Sequence, residues 1–282
     1  MVETKEAKKT EEFILPDEVT EVNNNQPPRD LVIVSIPKMG KGSIFGPFTR
    51  QYNALIWGLE KGGYEYIPAR KMEIHTSQET TEWEAYQNYV KQRKILLNNK
   101  GKYDYLIIDG LSDLDSLSII GGTFMYMESI IGKAFNRVGG LKDGIKLEFG
   151  DVNWKSVLAL PDGAGYQYTR KWFLEQIEIF KQISPYRLYA AHVADKYIKE
   201  NGKEEVTGSE IALTGQLKRI FSGRVTSMAK LIADGDERHL SFDVLNDSIL
   251  AGSRAPKLKG KILISKMGKD EVVTTYWDKI YK

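Results

Sequence analysis

The chain has 282 residues, and its 40 Lys and Arg side chains nearly balance 38 Asp and Glu, which gives a formal charge of +2. Its 41% apolar residues are enough to bury a core, which excludes a chain disordered throughout. The lack of cysteine excludes disulfides, iron–sulfur clusters, thiolate zinc sites and a thiol nucleophile. No run approaches the roughly 18 apolar residues of a membrane helix, and the first residues lack a secretion-signal pattern, so we expect a cytoplasmic protein without membrane contact.

The first 30 residues differ from the rest in charge. They hold eight acidic and four basic side chains, a net charge of −4, which leaves 36 bases and 30 acids, a net charge of +6, for residues 31–282. The NNNQPP stretch at 23–28 has the composition of a linker. We therefore predict a flexible acidic tail over 1–30 and a folded body over 31–282. The tail is either a solvated extension without function or a regulatory segment that competes with an anionic ligand for the basic body.

The body begins with buried strands that alternate with helices. Three apolar runs are typical of strands covered on both faces: LVIVSI at 31–36, KYDYLIIDG at 102–110 and YRLYAAHV at 186–193. Helical spacing of apolar residues predicts helices in three segments: 79–98, 125–135 and 173–180. A further helix is expected to begin near Ser43, and NALIWGLE at 53–60 either continues it or forms a strand that ends at Glu60.

The last third of the chain has the pattern of antiparallel hairpins. Turn residues between strand-like runs predict hairpins around Asn201 and Gly202, within 228–244 and within 261–277. Combined with the alternating strands and helices before them, they predict an α/β fold with a three-layer core and C-terminal antiparallel β-hairpins.

A candidate phosphate-binding loop follows the first predicted strand. Amides at a helix N-terminus bind anions, and glycine lets the backbone approach them. The P-loop pattern G-x-x-x-x-G-K-S/T fits Gly40 and Lys41, but Ser35 replaces its first glycine, Gly42 replaces its magnesium-binding hydroxyl, and Ser43 lies one residue late. A plain strand-to-helix turn with a surface lysine is the alternative. The candidate nucleotide-binding residues are Pro37, Lys38, Met39, Gly40, Lys41, Gly42 and Ser43.

Three further side chains end predicted strands. Asp109 ends a buried strand, and a Walker-B acid, whose carboxylate holds Mg²⁺, has the same position. Ser43 is a second candidate ligand for the metal. If their segments are parallel strands of one sheet, Glu60 and His192 emerge at its carboxyl edge, where a carboxylate can orient and deprotonate the attacking water and an imidazole can sense or stabilise a γ-phosphate. Each residue also has an interpretation without a catalytic role. Asp109 is then a carboxylate that caps the next turn, with solvated neighbours at 113 and 115. Glu60 is then an exposed helix residue, and His192 is a histidine of the core or of a turn.

A basic stretch lies near the carboxyl end. Residues 254–269 include no acidic side chain. Two interpretations stay open: the stretch contacts the phosphates of a nucleic acid, or it is a charged rim that keeps a sheet edge soluble. Its cations are Arg254, Lys257, Lys259, Lys261, Lys266 and Lys269.

Several segments resemble those of the phage Sak-type single-strand annealing ATPases, which are RecA/KaiC-like P-loop NTPases. The resemblance covers roughly residues 31–282 and rests on six segments: PKMGKGS, GLEKGGYEYI, YDYLIIDGLSDL, LPDGAGYQYTRKWF, AAHVADKYIKENGKEEVTGSEIALTGQLKRI and VTTYWDKIY. It implies a RecA-like core that uses ATP and Mg²⁺, single-stranded DNA as partner, assembly into homo-oligomers, and a role in phage recombination or replication in the host cytoplasm.

The resemblance also implies roles for individual residues. Lys41 binds the β- and γ-phosphates, and Asp109 is the Walker-B acid. Glu60 is the catalytic carboxylate, and His192 is the phosphate-sensing residue. Because Ser35 and Gly42 depart from the family's pattern, we expect weak hydrolysis: one magnesium ligand is lost while the backbone cradle persists. The alternative is an inactive member of the fold that binds DNA, assembles or belongs to a virion.

Overall fold

A computed structural model describes residues 25–137, 156–200, 203–243, 251–268, 270 and 272–282. Within these residues, eleven strands form one mixed sheet. The strands are β1 Asp30–Ser35, β2 Ala54–Gly58, β3 Lys71–Glu73, β4 Tyr105–Asp109, β5 Tyr186–Glu200, β6 Lys203–Ile211, β7 Ser227–Asp234, β8 Glu237–Ser241, β9 Gly252–Ser253, β10 Lys261–Met267 and β11 Val273–Thr275.

The order of the strands divides the sheet into two parts. It is β11-β10-β8-β7-β1-β5-β4-β2-β3, with β6 paired to β5 and β9 paired to β7. From β7 to β3 all neighbours along this order are parallel, whereas β8, β10 and β11 extend the sheet in antiparallel fashion. The carboxyl ends of β1, β5, β4 and β2 therefore meet at one edge of the sheet.

Helices cover both faces of this sheet. They are α1 Lys41–Gln51, α2 Glu82–Asn98, α3 Leu111–Glu128, α4 Ile130–Arg137, α5 Tyr166–Ile183, α6 Leu217–Arg224 and α7 Asp278–Tyr281, with 3₁₀ turns at Val157–Ala159 and Pro161–Gly163. In β1, Val32 and Val34 join the apolar cluster that contains residues of α2, α3, α5 and α6. Leu31 and Ile33 join the opposite cluster with α1 and α7. The arrangement is compatible with a three-layer α/β fold.

Most elements predicted from the sequence are present. NALIWGLE is a strand, since β2 spans Ala54–Gly58, and the three hairpins pair as β5 with β6, β7 with β8 and β10 with β11. The predicted helix over 125–135 is divided at Ser129, and α1 begins at Lys41 rather than near Ser43. Residues 1–24 of the predicted tail, most of the segment 139–165 and the turn residues 201–202 lie outside the described residues.

The folded body begins one residue earlier than predicted, because Asp30 belongs to β1 and not to the tail. It is the first residue of β1 and is buried, and its Oδ1 accepts a 2.8 Å hydrogen bond from the Nε of buried Arg187. Arg187 also donates to the carbonyls of Ser184 and Pro185, and the Tyr189 hydroxyl donates to Asp30. The body therefore includes Asp30, which ties β1 to β5.

Candidate functional site

The loop between β1 and α1, together with the first turn of α1, holds the residues predicted to bind phosphates. Its backbone is left-handed at Lys38, with φ 65°, and at Gly40, with φ 89°. Glycine adopts this conformation without the strain that a side chain brings. The helix begins directly after Gly40, at Lys41, so its free N-terminal amides lie at the carboxyl edge of the sheet. A helix N-terminus in this position favours an anion.

Lys41 is the centre of a cluster that four elements supply. Its ammonium lies 3.3 Å from each of three atoms: Glu60 Oε2, Asp109 Oδ1 and His192 Nε2. Parallel pairing explains the convergence, because Ser35 lies beside His192 and Gly58 beside Asp109 in the register of the sheet. The structure thus brings together the lysine, the two carboxylates and the imidazole that the sequence analysis selected.

The electrostatics of this cluster keep Glu60 ionised. Contact with His192, whose Nε2 is 3.6 Å from Glu60 Oε2, and the charge of Lys41 outweigh partial burial and lower the pKa of Glu60 to about 2. The stabilisation from this ionised carboxylate is present above its ordinary pKa of 4.5 and is lost as the pH falls through about 2. Lys41 and Asp109 are only 8% and 3% exposed, so the ion pair at the centre is shielded from water.

Tyr64 is a member of the site that the sequence analysis did not select. Its hydroxyl is buried and donates a 2.6 Å hydrogen bond to Asp109 Oδ2. Burial and the charge of Asp109 raise the pKa of Tyr64 well above its usual value, so the hydroxyl keeps its proton. Asp109 is therefore held from both sides, by Lys41 on one oxygen and by Tyr64 on the other. The GLEKGGYEYI segment contains Tyr64, but its spacing gives no sign of this contact.

The two acids after Asp109 are not the solvated neighbours that the alternative interpretation required. Burial and the charges of Glu60 and Asp109 raise the pKa of Asp113 to about 6. Asp115 is buried and accepts a 2.7 Å hydrogen bond from the backbone N–H of Thr214. The Asp113 carboxyl is thus near enough for the charges of Glu60 and Asp109 to act on it, and Asp115 anchors the loop at Thr214.

The structure gives a steric reason for Gly42, where the P-loop pattern has a hydroxyl residue. A Cβ on Gly42 would lie 2.0 Å from Ile67 Cδ1, and a Cβ on Gly46 would lie 2.6 Å from Ile67 Cγ2. Ile67, in the segment between β2 and β3, therefore packs directly against two glycines of α1. A hydroxyl residue at position 42 has no room while Ile67 keeps this place.

Restoring the P-loop hydroxyl is therefore expected to destabilise the protein. Gly42→Thr should lower the free energy of unfolding by about 1–3 kcal/mol through overpacking. In a protein that also carries Ile67→Ala, Gly42→Thr should lower the free energy of unfolding by at least about 1 kcal/mol less, because the clash with Ile67 is removed. Urea denaturation of the four proteins of this cycle measures the coupling. An equal cost in both backgrounds would show that Ile67 is not the obstacle.

The residues present fit Mg²⁺ only together with a phosphate ligand. Ser43 Oγ donates a 2.7 Å hydrogen bond to the Gly40 carbonyl, and Gly42 offers no oxygen in its side chain. In the described part of the chain no group of three or more acidic or histidine side chains is arranged to hold a metal ion. Mg²⁺ usually takes one or two carboxylates and completes its shell with phosphates and water. The buried Asp109 carboxylate suits that mode of binding.

The basic stretch from 254 to 269 is mostly engaged in contacts within the protein. Lys261 binds Asp234 at 3.2 Å, and Lys266 binds Glu237 at 2.9 Å. Arg254 donates to the Gly223 carbonyl, and Lys257 donates to two backbone carbonyls. Contacts of this kind are expected of a charged rim that keeps a sheet edge soluble. Lys269 lies outside the described residues.

No protein-family model matches the chain, and no curated protein matches it. The family resemblance seen in the motifs therefore remains a prediction. None of the helices that the structure describes has the length and apolar content needed to cross a membrane.

Proposed function

We propose that the protein is a RecA-like P-loop NTPase that binds ATP with Mg²⁺ and hydrolyses it weakly. The observation that carries the proposal is the convergence of Lys41, Glu60 and Asp109 at the carboxyl edge of one parallel sheet. In open α/β sheets this edge is where ligands bind. An ammonium beside a glycine-containing loop and a helix N-terminus is suited to a polyphosphate.

The strand order supports the proposal. β5 lies between β1, which leads into the loop, and β4, which ends in Asp109. His192 on β5 is therefore next to the end of β1 and points to the same cluster as the carboxylates. A phosphate bound by Lys41 lies within reach of an imidazole that responds to its presence.

Each residue then has a distinct task. The Lys41 ammonium exchanges its carboxylate partners for the β- and γ-phosphates, and the amides of residues 37–43 surround the phosphate oxygens. Asp109, oriented by the Tyr64 hydroxyl, is the carboxylate that would hold Mg²⁺. Glu60 orients the attacking water, and His192 contacts the γ-phosphate. Mg²⁺, when bound, neutralises charge on the β- and γ-phosphates.

The residue at position 42 accounts for slow chemistry. Gly42 supplies no side-chain hydroxyl to the metal, and a larger side chain there would meet Ile67. One magnesium ligand is therefore missing while the backbone cradle of the loop persists.

The family resemblance extends the proposal to partners. Single-stranded DNA is the proposed substrate for annealing in phage recombination or replication, and homo-oligomers are the proposed assembly. The net charge of +6 over residues 31–282 is favourable for binding a polyanion.

The proposal predicts that Glu60→Gln separates binding from turnover. ATP turnover should fall at least about 100-fold, since the carboxylate that orients the water is lost, while the affinity for ATP stays within a few-fold. Release of labelled phosphate, measured with and without single-stranded DNA, and ATP titration test both parts. Glu79→Gln, at an exposed glutamate outside the cluster, is the matched control and should leave turnover unchanged.

Other outcomes separate the alternatives. ATP binding without turnover in the unchanged protein, with or without DNA, would favour an inactive member of the fold. Equal turnover in the Glu60→Gln and unchanged proteins would remove Glu60 from its proposed role.

A further inference from the structure

Arg238 reaches the candidate phosphate loop from a part of the chain that the sequence analysis did not connect with it. It lies on β8, and its Nε donates a 3.2 Å hydrogen bond to the Met39 carbonyl. A Cβ on Gly40 would lie 3.2 Å from the same Nε and 3.8 Å from Nη2. The guanidinium therefore packs against the loop backbone at the start of α1.

The charge of Arg238 is not matched by a carboxylate hydrogen bond within the described residues. Its hydrogen bonds go to three backbone carbonyls, those of Met39, Gly235 and Glu237. The positive end of the α1 dipole is directly beside it, and a cation there is unfavourable unless an anion accompanies it. The guanidinium and the helix start together make a place for a negative group.

A buried hydroxyl next to the loop gives a second, independent observation. Ser35 is 1% exposed, and its Oγ has no hydrogen-bond partner in the described part of the chain. Since alternate residues of a strand share a face, Ser35 is on the side of Leu31 and Ile33, which α1 covers. An unpaired buried hydroxyl is costly, and a ligand oxygen bound in the loop would satisfy it.

The positions of Lys41 and Arg238 give the bound polyphosphate a direction. Lys41 points toward the ends of β5, β4 and β2, whereas Arg238 comes from β8, on the other side of β1. A triphosphate with its terminal phosphates at Lys41 and its chain across the loop therefore carries its nucleoside end toward β8.

We infer that Arg238 binds the α-phosphate of a nucleoside di- or triphosphate and so fixes which way the nucleotide lies in the site. The inference rests on the proposed nucleotide binding. It assigns Arg238 to a phosphate that ATP and ADP share, while Lys41 serves the terminal phosphates.

The test compares three probes by calorimetric titration in the presence of Mg²⁺. With Arg238→Ala, the affinities for ATP and ADP should fall by a similar factor, about 10- to 100-fold, because one charge-assisted contact is lost from each. The affinity for inorganic pyrophosphate, which binds at Lys41, should stay within about two-fold. Arg50→Ala, at an exposed arginine near the other end of α1, should leave all three affinities unchanged.

Other results overturn the inference. A loss for ATP alone would place Arg238 at the γ-phosphate, and no loss for ATP or ADP would remove it from the site. If Arg238→Ala does not fold, Arg238→Gln, which retains a side-chain N–H donor without the charge, should show the same loss for ATP and ADP. Absence of ATP, ADP and pyrophosphate binding in the unchanged protein would instead contradict the proposed function itself.

Discussion

Replacement of Lys41 by alanine is expected to weaken the binding of ATP with Mg²⁺ at least about 100-fold. The Lys41 ammonium faces Glu60 and Asp109 at 3.3 Å. Without it, two carboxylates remain to repel the incoming phosphates. Truncation of one partner of a shielded charge pair commonly costs 2–5 kcal/mol, and 100-fold corresponds to about 2.8 kcal/mol.

Calorimetric titration with ATP and Mg²⁺ measures this loss. Lys94→Ala is the matched control, because Lys94 is an exposed lysine of α2 and should leave ATP affinity unchanged. A thermal melt of the Lys41→Ala protein checks that the fold persists, since the variant also leaves buried Asp109 without its cation. An unaltered affinity for ATP in a folded Lys41→Ala protein would end the nucleotide proposal.

The second large effect concerns stability. Asp30→Ala is expected to lower the free energy of unfolding by about 3–5 kcal/mol, because it leaves the Arg187 guanidinium buried without its counter-charge. Asp30 and Arg187 are 6% and 4% exposed, so water cannot replace the lost partner. The hydrogen bonds of Arg187 to Ser184 and Pro185 remain, but carbonyls do not neutralise a charge.

Urea denaturation followed by circular dichroism measures this change. Arg29→Ala alters the exposed neighbouring residue and should stay within about 0.5 kcal/mol of the unchanged protein. If Asp30→Ala proves as mild as Arg29→Ala, Asp30 belongs energetically to the tail that the charge pattern indicated.

Most residues of the candidate site were predictable because they lie near the ends of strands that the sequence predicts. Asp109 and His192 each lie at the end of a recognisable apolar run, Lys41 follows the loop after another, and parallel strands place such residues at one edge. Glu60 required a choice between helix and strand for residues 53–60, which the structure decides in favour of β2. The roles of these residues remain predictions that the substitutions above test.

Other members of the site were beyond reach of local patterns. Tyr64 lies 45 positions from Asp109 along the chain, and Arg238 lies 199 positions from Met39. Neither residue has a spacing that signals its partner. Ile67, which blocks a side chain at position 42, is equally invisible in the sequence, although Gly42 itself was noted as a departure from the P-loop pattern.

Local patterns in the sequence predicted most of the strands, several helices and the three hairpins, because burial on two faces, helical periodicity and turn chemistry leave local marks. The strand order, the burial of Asp30 against Arg187 and the convergence of side chains on Lys41 emerge from the folded chain alone. These features depend on pairing between distant segments. Such pairing is fixed by packing of the whole sheet and leaves no periodic signal in any one segment.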